Sequence, residues 1–186
     1  MTRIYSRSGD SGTTSHPSFG RVRKSEWTIE LLGRFDEAQV ALGYALGLCK
    51  QPPADLLKPM IERSMAILFE SANSSLGEKG TALAVGWLEA AINDLNEQLP
   101  PLSGFIRPSG NELCSRLHLA RVAVRRLERG IWQAYDGQHW SPIEASPFIN
   151  RLSDYLFVAA RWANAVDDPL DAAPAAGTVA DDPHDE

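Results

Sequence analysis

The sequence predicts an all-α fold, a five-helix up-and-down bundle, on three observations. Apolar residues recur at three- and four-residue spacings over long stretches. Strand-like alternation is nearly absent. Prolines punctuate the periodic stretches at intervals that suit antiparallel helices joined by modest connections.

Taken in order, residues 1–25 hold Gly9, Gly12, Gly20, Pro17 and many serines and threonines, and read as loop. A long structureless segment in a compact domain is often functional. From about Thr28, "TIELLGRFDEAQVALGYALGLCK" places Ile29, Leu32, Ala38, Leu42, Ala45 and Leu46 at three- and four-residue spacings, a helical pattern. Pro52 and Pro53 stop that helix, and Pro59 opens a second through "PMIERSMAILFESANSSL". A third is expected over "ALAVGWLEAAINDLNEQL", ended by Pro100 and Pro101. After the connection "LSGFIRPSGNE", the fourth runs through "ELCSRLHLARVAVRRLERGIWQAY" and the fifth through "SPFINRLSDYLFVAARWANAV". The organisation expected is an N-terminal loop (1–25), a helical domain (26–166) and an acidic, disordered tail (167–186).

Composition narrows the function classes. The chain has 186 residues, 44% hydrophobic and 23% charged, as in an ordinary globular domain. No apolar run is long enough for a membrane span, and the start lacks the apolar block of a secretory signal. Two cysteines make no disulfide framework, so a cytoplasmic protein with reduced thiols is expected. The net charge of −6 resides in the tail: without it, 18 basic residues face 17 acidic ones. Such a neutral body, with an acidic tail, argues against nucleic-acid binding. His16, His118, His139 and His184 are scattered, and neither a zinc-type Cys/His cluster nor a Glu-x-x-His pair is present. No metal site of the protein's own is expected.

Two segments carry chemistry. In "ARVAVRRLERG", a wheel of about 100° per residue puts Arg121, Arg125, Arg129 and Glu128 on one continuous face beside the apolar stripe. Arg126 stands apart. The ordinary reading is a solvated charged face. Against it, lysine is absent, like charges four apart repel, and the guanidinium fork suits phosphate and carboxylate. The helix alone leaves both readings open. "YSRSGDSGTTS" combines glycines that admit close backbone approach with hydroxyl donors and an arginine, a weak anion-binding signal. It is not a Walker loop, since no G-K-[ST] follows.

Read together, "IYSRSGDSGTT", "GRVRK", Gly33-x-x-Asp36-Glu37, "PPLSGFIRPSG", "LHLARVAVRRLER" and "INRLSDYLFVAAR" resemble the PduO-type ATP:cob(I)alamin adenosyltransferases. The blocks occur in that family's order over nearly all of residues 3–162, the last two being the most specific. The resemblance implies a homotrimer of five-helix subunits with active sites between neighbours. It implies MgATP and cobalamin as ligands, and transfer of the 5′-deoxyadenosyl group to cobalt with release of triphosphate. The implied ATP contacts are Ser6, Arg7, Ser8, Gly9, Thr14, Lys24, Arg125, Arg126, Glu128, Arg129 and Asn150. Phe105 stands for the corrinoid side, displacing the lower axial ligand of cobalt. Asp36 and Arg121 match an acid–base pair bracing the subunit interface. A flavin reductase and an adenosylcobalamin-dependent mutase are the implied partners. A non-catalytic paralogue that senses or delivers cofactor is the alternative.

Each residue also has a plainer reading: Phe105 as a core plug, Asp36 as a surface acid, Asn150 as a cap for a helix starting at Arg151. The chain departs from the family pattern at Ser6 and Ser8, where threonine is usual, and at "HPSFG", where a glycine run is usual. Arg34-Phe35, Ala38-Gln39, Arg107 and Ser109 are further departures.

Overall fold

A computed structural model describes residues 5–16, 18–73, 77–102 and 104–167. Five α-helices follow a short hairpin: β1 (Thr13–His16), β2 (Gly20–Arg23), α1 (Trp27–Leu46), α2 (Lys58–Ala72), α3 (Gly77–Asn96), α4 (Glu112–Asp136) and α5 (Ser146–Asp167). The acidic tail from 168 onward, expected to be disordered, lies outside the described residues. The helical pattern matches the all-α expectation, and the boundaries of α4 and α5 fall within one residue of those expected, whereas α1 stops at Leu46 and not at Lys50.

Two expectations need correction. Residues 1–25 are not all loop: Thr13–His16 and Gly20–Arg23 pair antiparallel, in the register Thr13–Arg23 to His16–Gly20. Strands this short, rich in Gly, Ser and Arg, leave no apolar alternation to read. α3 begins at Gly77 rather than near Ala82. Its early glycines weaken the helical signal, and tertiary packing overrides that weakness.

Cross-helix contacts give the directions. Arg34 of α1 reaches Gln133 of α4, while Tyr44 reaches Arg116, so α1 and α4 run antiparallel. Asn150 bonds Glu128, and Asn111, at the other end of α4, bonds Ala163, so α5 also opposes α4. Glu89 meets Arg151 and Asn96 meets Arg161, which makes α3 and α5 parallel neighbours. α2 lies against α1, where Gln39 donates to the Met65 carbonyl at 2.8 Å.

The core sits in the α1–α4–α5 seam. Leu31, Leu42, Leu117, Leu127, Ile131, Phe148, Leu152 and Leu156 are fully buried. Each such side chain contributes about 1.5–3 kcal/mol of transfer free energy. The apolar stripe of α4 (Leu113, Leu117, Ala120, Val124, Leu127, Ile131) therefore fixes which way its arginines point.

Candidate active site

The arginine face of α4 divides into two. Arg125 and Arg129 are exposed and have no ion pair among the described residues. Between them Glu128 accepts a hydrogen bond from Asn150 Nδ2 at 3.1 Å. Asn150 is internal to α5, not the cap of a helix starting at Arg151; its amide points across to α4 instead. Arg126 faces the other way. It pairs with Glu37 at 3.0 Å and approaches Glu30 at 3.8 Å, clipping α4 to α1. Within one chain it is thus separated from the Arg125–Glu128–Arg129 group.

Arg121 lies on the α5 side, its guanidinium 6.0 Å from the Phe157 ring and its Nε buried without a partner. Asp36 is exposed on α1, on the opposite flank of α4. It lines a groove of about 430 Å³ with Glu37, Val40, Tyr44, Arg116 and Leu119. The two residues form no ion pair in one chain. His118, one turn before Arg121, is buried with its Nδ1 unpartnered, and its ring lies 6.3 Å from Phe157. Burial and then the Arg121 charge hold its pKa below the ordinary value.

The N-terminal segment forms a turn closed by the hairpin. Arg7 has a positive φ of 61° and Gly12 one of 80°. The Ser6 and Ser8 hydroxyls are 2.7 Å apart. Lys24 N–H donates to the Gly12 carbonyl at 2.9 Å, and its ammonium lies over Gly9, so near that a Cβ there would stand 3.3 Å from Nζ. Arg21, which sequence reasoning did not single out, donates to the Ser8 carbonyl and to the Thr13 hydroxyl. Thr14 sits in β1 opposite Val22. The segment thus gathers Ser6, Arg7, Ser8, Gly9, Lys24 and Arg21, cations and hydroxyls around an open turn. Such a surface suits a polyanion.

The α3–α4 connection carries Phe105, fully exposed rather than plugging the core. Its end is held firmly. Asn111 caps α4, its side chain accepting from Cys114 N–H at 2.7 Å. Asn111 Nδ2 donates to the Ala163 carbonyl and to Asp167, each at 2.7 Å. The Asn111 N–H donates in turn to Asn164 Oδ1 at 3.0 Å. Gly110, with φ of 147°, lies so close that a Cβ would stand 2.2 Å from Asn164 Oδ1. Asn111 was missed from sequence, although an Asn just before a periodic stretch is a cap signal. Its ties to α5 carry no local signature.

Among the described residues no group of three His, Cys, Asp or Glu could hold a metal ion, and no helix is long and apolar enough to cross a membrane.

A family model described as cobalamin adenosyltransferase matches residues 4–163. A corrinoid adenosyltransferase of Mycobacterium tuberculosis is 34% identical over 91% of this chain and 93% of its own. A human corrinoid adenosyltransferase is 32% identical over 88% of this chain and 69% of its own. Among solved structures, a variant PduO-type ATP:corrinoid adenosyltransferase from Lactobacillus reuteri, complexed with cobalamin and ATP, superposes with a TM-score of 0.80. It is 29% identical, covering 89% of this chain and 92% of that one.

Proposed function

Because the chain belongs to the cobalamin adenosyltransferase family, we propose that it is an ATP:corrinoid adenosyltransferase working through the residues described above. It transfers the 5′-deoxyadenosyl group of ATP to the cobalt of reduced cobalamin. Cobalt(I) attacks the ribose C5′, a cobalt–carbon bond forms, and the C5′–oxygen bond breaks with its electron pair leaving on triphosphate. Cobalt is the nucleophile, so the protein needs no Ser, Cys or His for that role. Its tasks are to align the reacting atoms and to stabilise the departing charge.

The observation that carries this assignment is the Arg125–Glu128–Arg129 face, whose two arginines are left without carboxylate partners while Asn150 fixes Glu128. Two unneutralised guanidinium groups on a rigid helix are preorganised for triphosphate. The turn at residues 6–9, with Lys24, supplies the second half of the phosphate site, with Thr14 beside it. Arg126, turned toward α1 and tied to Glu37, stands outside this face within one chain. Mg²⁺ brought with the nucleotide would neutralise part of the triphosphate charge, and Glu128 is the carboxylate on this face that would face it.

The working form is a homotrimer with sites between subunits. Support comes from the exposed apolar residues Val40, Tyr44, Leu119 and Val122 on the outer side of α1 and α4. Asp36 and Arg121, apart within one chain, then pair across the interface. Phe105, bare in the single chain, meets the corrinoid and displaces its lower axial ligand, making cobalt(II) reducible. The setting is the cytoplasm, where a flavin reductase supplies the electron and an adenosylcobalamin-dependent mutase receives the product.

Single-turnover adenosylation with chemically reduced cobalamin and MgATP, followed by the cobalt–carbon absorbance change, tests this. Arg125→Ala should lower the rate about 10²–10³-fold with little loss of stability. Binding of both ligands without product would overturn the enzyme reading in favour of a cofactor-delivering paralogue.

A further inference from the structure

We propose that His16 is a positioning residue for the nucleotide: clasped between Phe19 and Trp140, it nails the β1–β2 hairpin to the bundle and so sets the phosphate-facing turn. This rests on the ATP site proposed above and adds to it a part made of residues outside that site. His16 and Phe19 fall in "HPSFG", where the chain departs from the glycine-rich pattern of the family it resembles.

The geometry is that of an anchor. His16 ends β1 and is only 6% exposed on a hairpin whose second strand is largely exposed. Its ring centroid lies 4.6 Å from Phe19 and 5.8 Å from Trp140, edge-on at 71° to the latter. His16 Nδ1 accepts the Ser18 N–H at 3.1 Å, which places the neutral ring's proton on Nε2. Nε2 is buried with no oxygen or nitrogen partner among the described residues. The contacts that remain to the ring are those with Phe19 and Trp140. Trp140 belongs to the α4–α5 connection and packs against the core.

The other end of the same hairpin carries the site. The ladder runs from His16–Gly20 to Thr13–Arg23, and the next link is Lys24 N–H to the Gly12 carbonyl at 2.9 Å. A two-stranded hairpin is marginal in water unless it packs on something. Its strands span only about 10–13 Å, so fraying at His16 reaches Lys24 and the Gly9 turn directly. A glycine run in that place would leave the turn to be ordered by nucleotide; here an aromatic contact orders it beforehand.

The test compares His16→Ala with His16→Phe, which keeps the ring, and His16→Asn, which keeps the acceptor for Ser18. Limited trypsin digestion reads the hairpin itself, since Arg21, Arg23 and Lys24 lie within or beside β2. His16→Ala should be nicked there about tenfold faster and should raise the KM for ATP about tenfold, the scale of one lost aromatic contact. Its kcat at saturating ATP and its melting temperature should move much less. His16→Phe should restore most of both losses and His16→Asn little. Unchanged cleavage would overturn the anchor, and faster cleavage with unchanged ATP affinity, measured by calorimetry, would overturn the positioning role. A parent chain that binds no ATP would sink the proposed site and this role in it together, while digestion would still report the clasp.

Discussion

Replacing Asn111 by alanine should loosen two structures at once, the start of α4 and the connection that carries Phe105. Losing the cap on Cys114 N–H costs about 1 kcal/mol. Losing the Nδ2 bond to the Ala163 carbonyl costs about 1 kcal/mol more. The bond to Asp167 is exposed and adds little. The sum, about 2 kcal/mol, corresponds to a fall in melting temperature of roughly 4–8 °C for a domain of this size. Urea unfolding with an unchanged m-value measures it. Asn111→Ser keeps the cap but not the reach to α5, and should recover about half. Because Asn111 ties the far end of the Phe105 connection to α5, adenosylation from cobalt(II) should suffer more than ATP binding does. A loss below about 0.5 kcal/mol, or full recovery in Asn111→Ser, would refute the ties to α5.

Two further outcomes are expected. His118 has its pKa depressed by burial and by Arg121, so the unfolded chain takes up a proton first. The contribution is present above the ordinary value of 6.5 and lost as pH falls from there through the lowered folded value. His118→Gln should therefore lose less stability than the parent between about pH 7 and 5; parallel curves from denaturant melts would contradict this. Gly130 is buried in α4, where a Cβ would stand 2.5 Å from Arg34 Nη1 and 2.9 Å from its Cδ. Gly130→Ala should thus gain about 1 kcal/mol of helix propensity only in an Arg34→Ala background. In the parent it displaces Arg34 from Trp27 and Gln133, and equal gains in both backgrounds would show that no such coupling exists.

What could be read from sequence follows the physics of each element. Twenty-residue helices such as α1 declare themselves because burial on one side repeats over many turns. The hairpin does not, because four-residue strands held by backbone bonds and one clasp leave no periodic trace. The wheel correctly set Arg126 apart, since a helix fixes side-chain direction locally. That it clips Glu37 depends on where α1 packs, which no local pattern encodes. The Arg34–Gly130 fit has the same origin: either residue alone looks arbitrary, and together they fill one space. The Arg125, Glu128 and Asn150 grouping came from resemblance, and the structure brings the last two within hydrogen-bond distance. The resemblance puts Asp36 and Arg121 in a pair, but the single chain keeps them on opposite flanks of α4.

The seam between α1 and α4 has a consequence for how the chain is made. Leu31, Phe35, Ala38 and Leu42 are buried against helices synthesised much later. Closing that seam means bringing together the first helix and the fourth, with the α2–α3 pair looped out between them. A nascent chain ending after α3 lacks the main packing partners of both α1 and α3, and leaves the apolar side of α1 bare. Such an intermediate is sticky until α4 and α5 leave the ribosome. The last two helices thus act as the closing step of folding, and a truncation within α5 should harm yield before it harms chemistry.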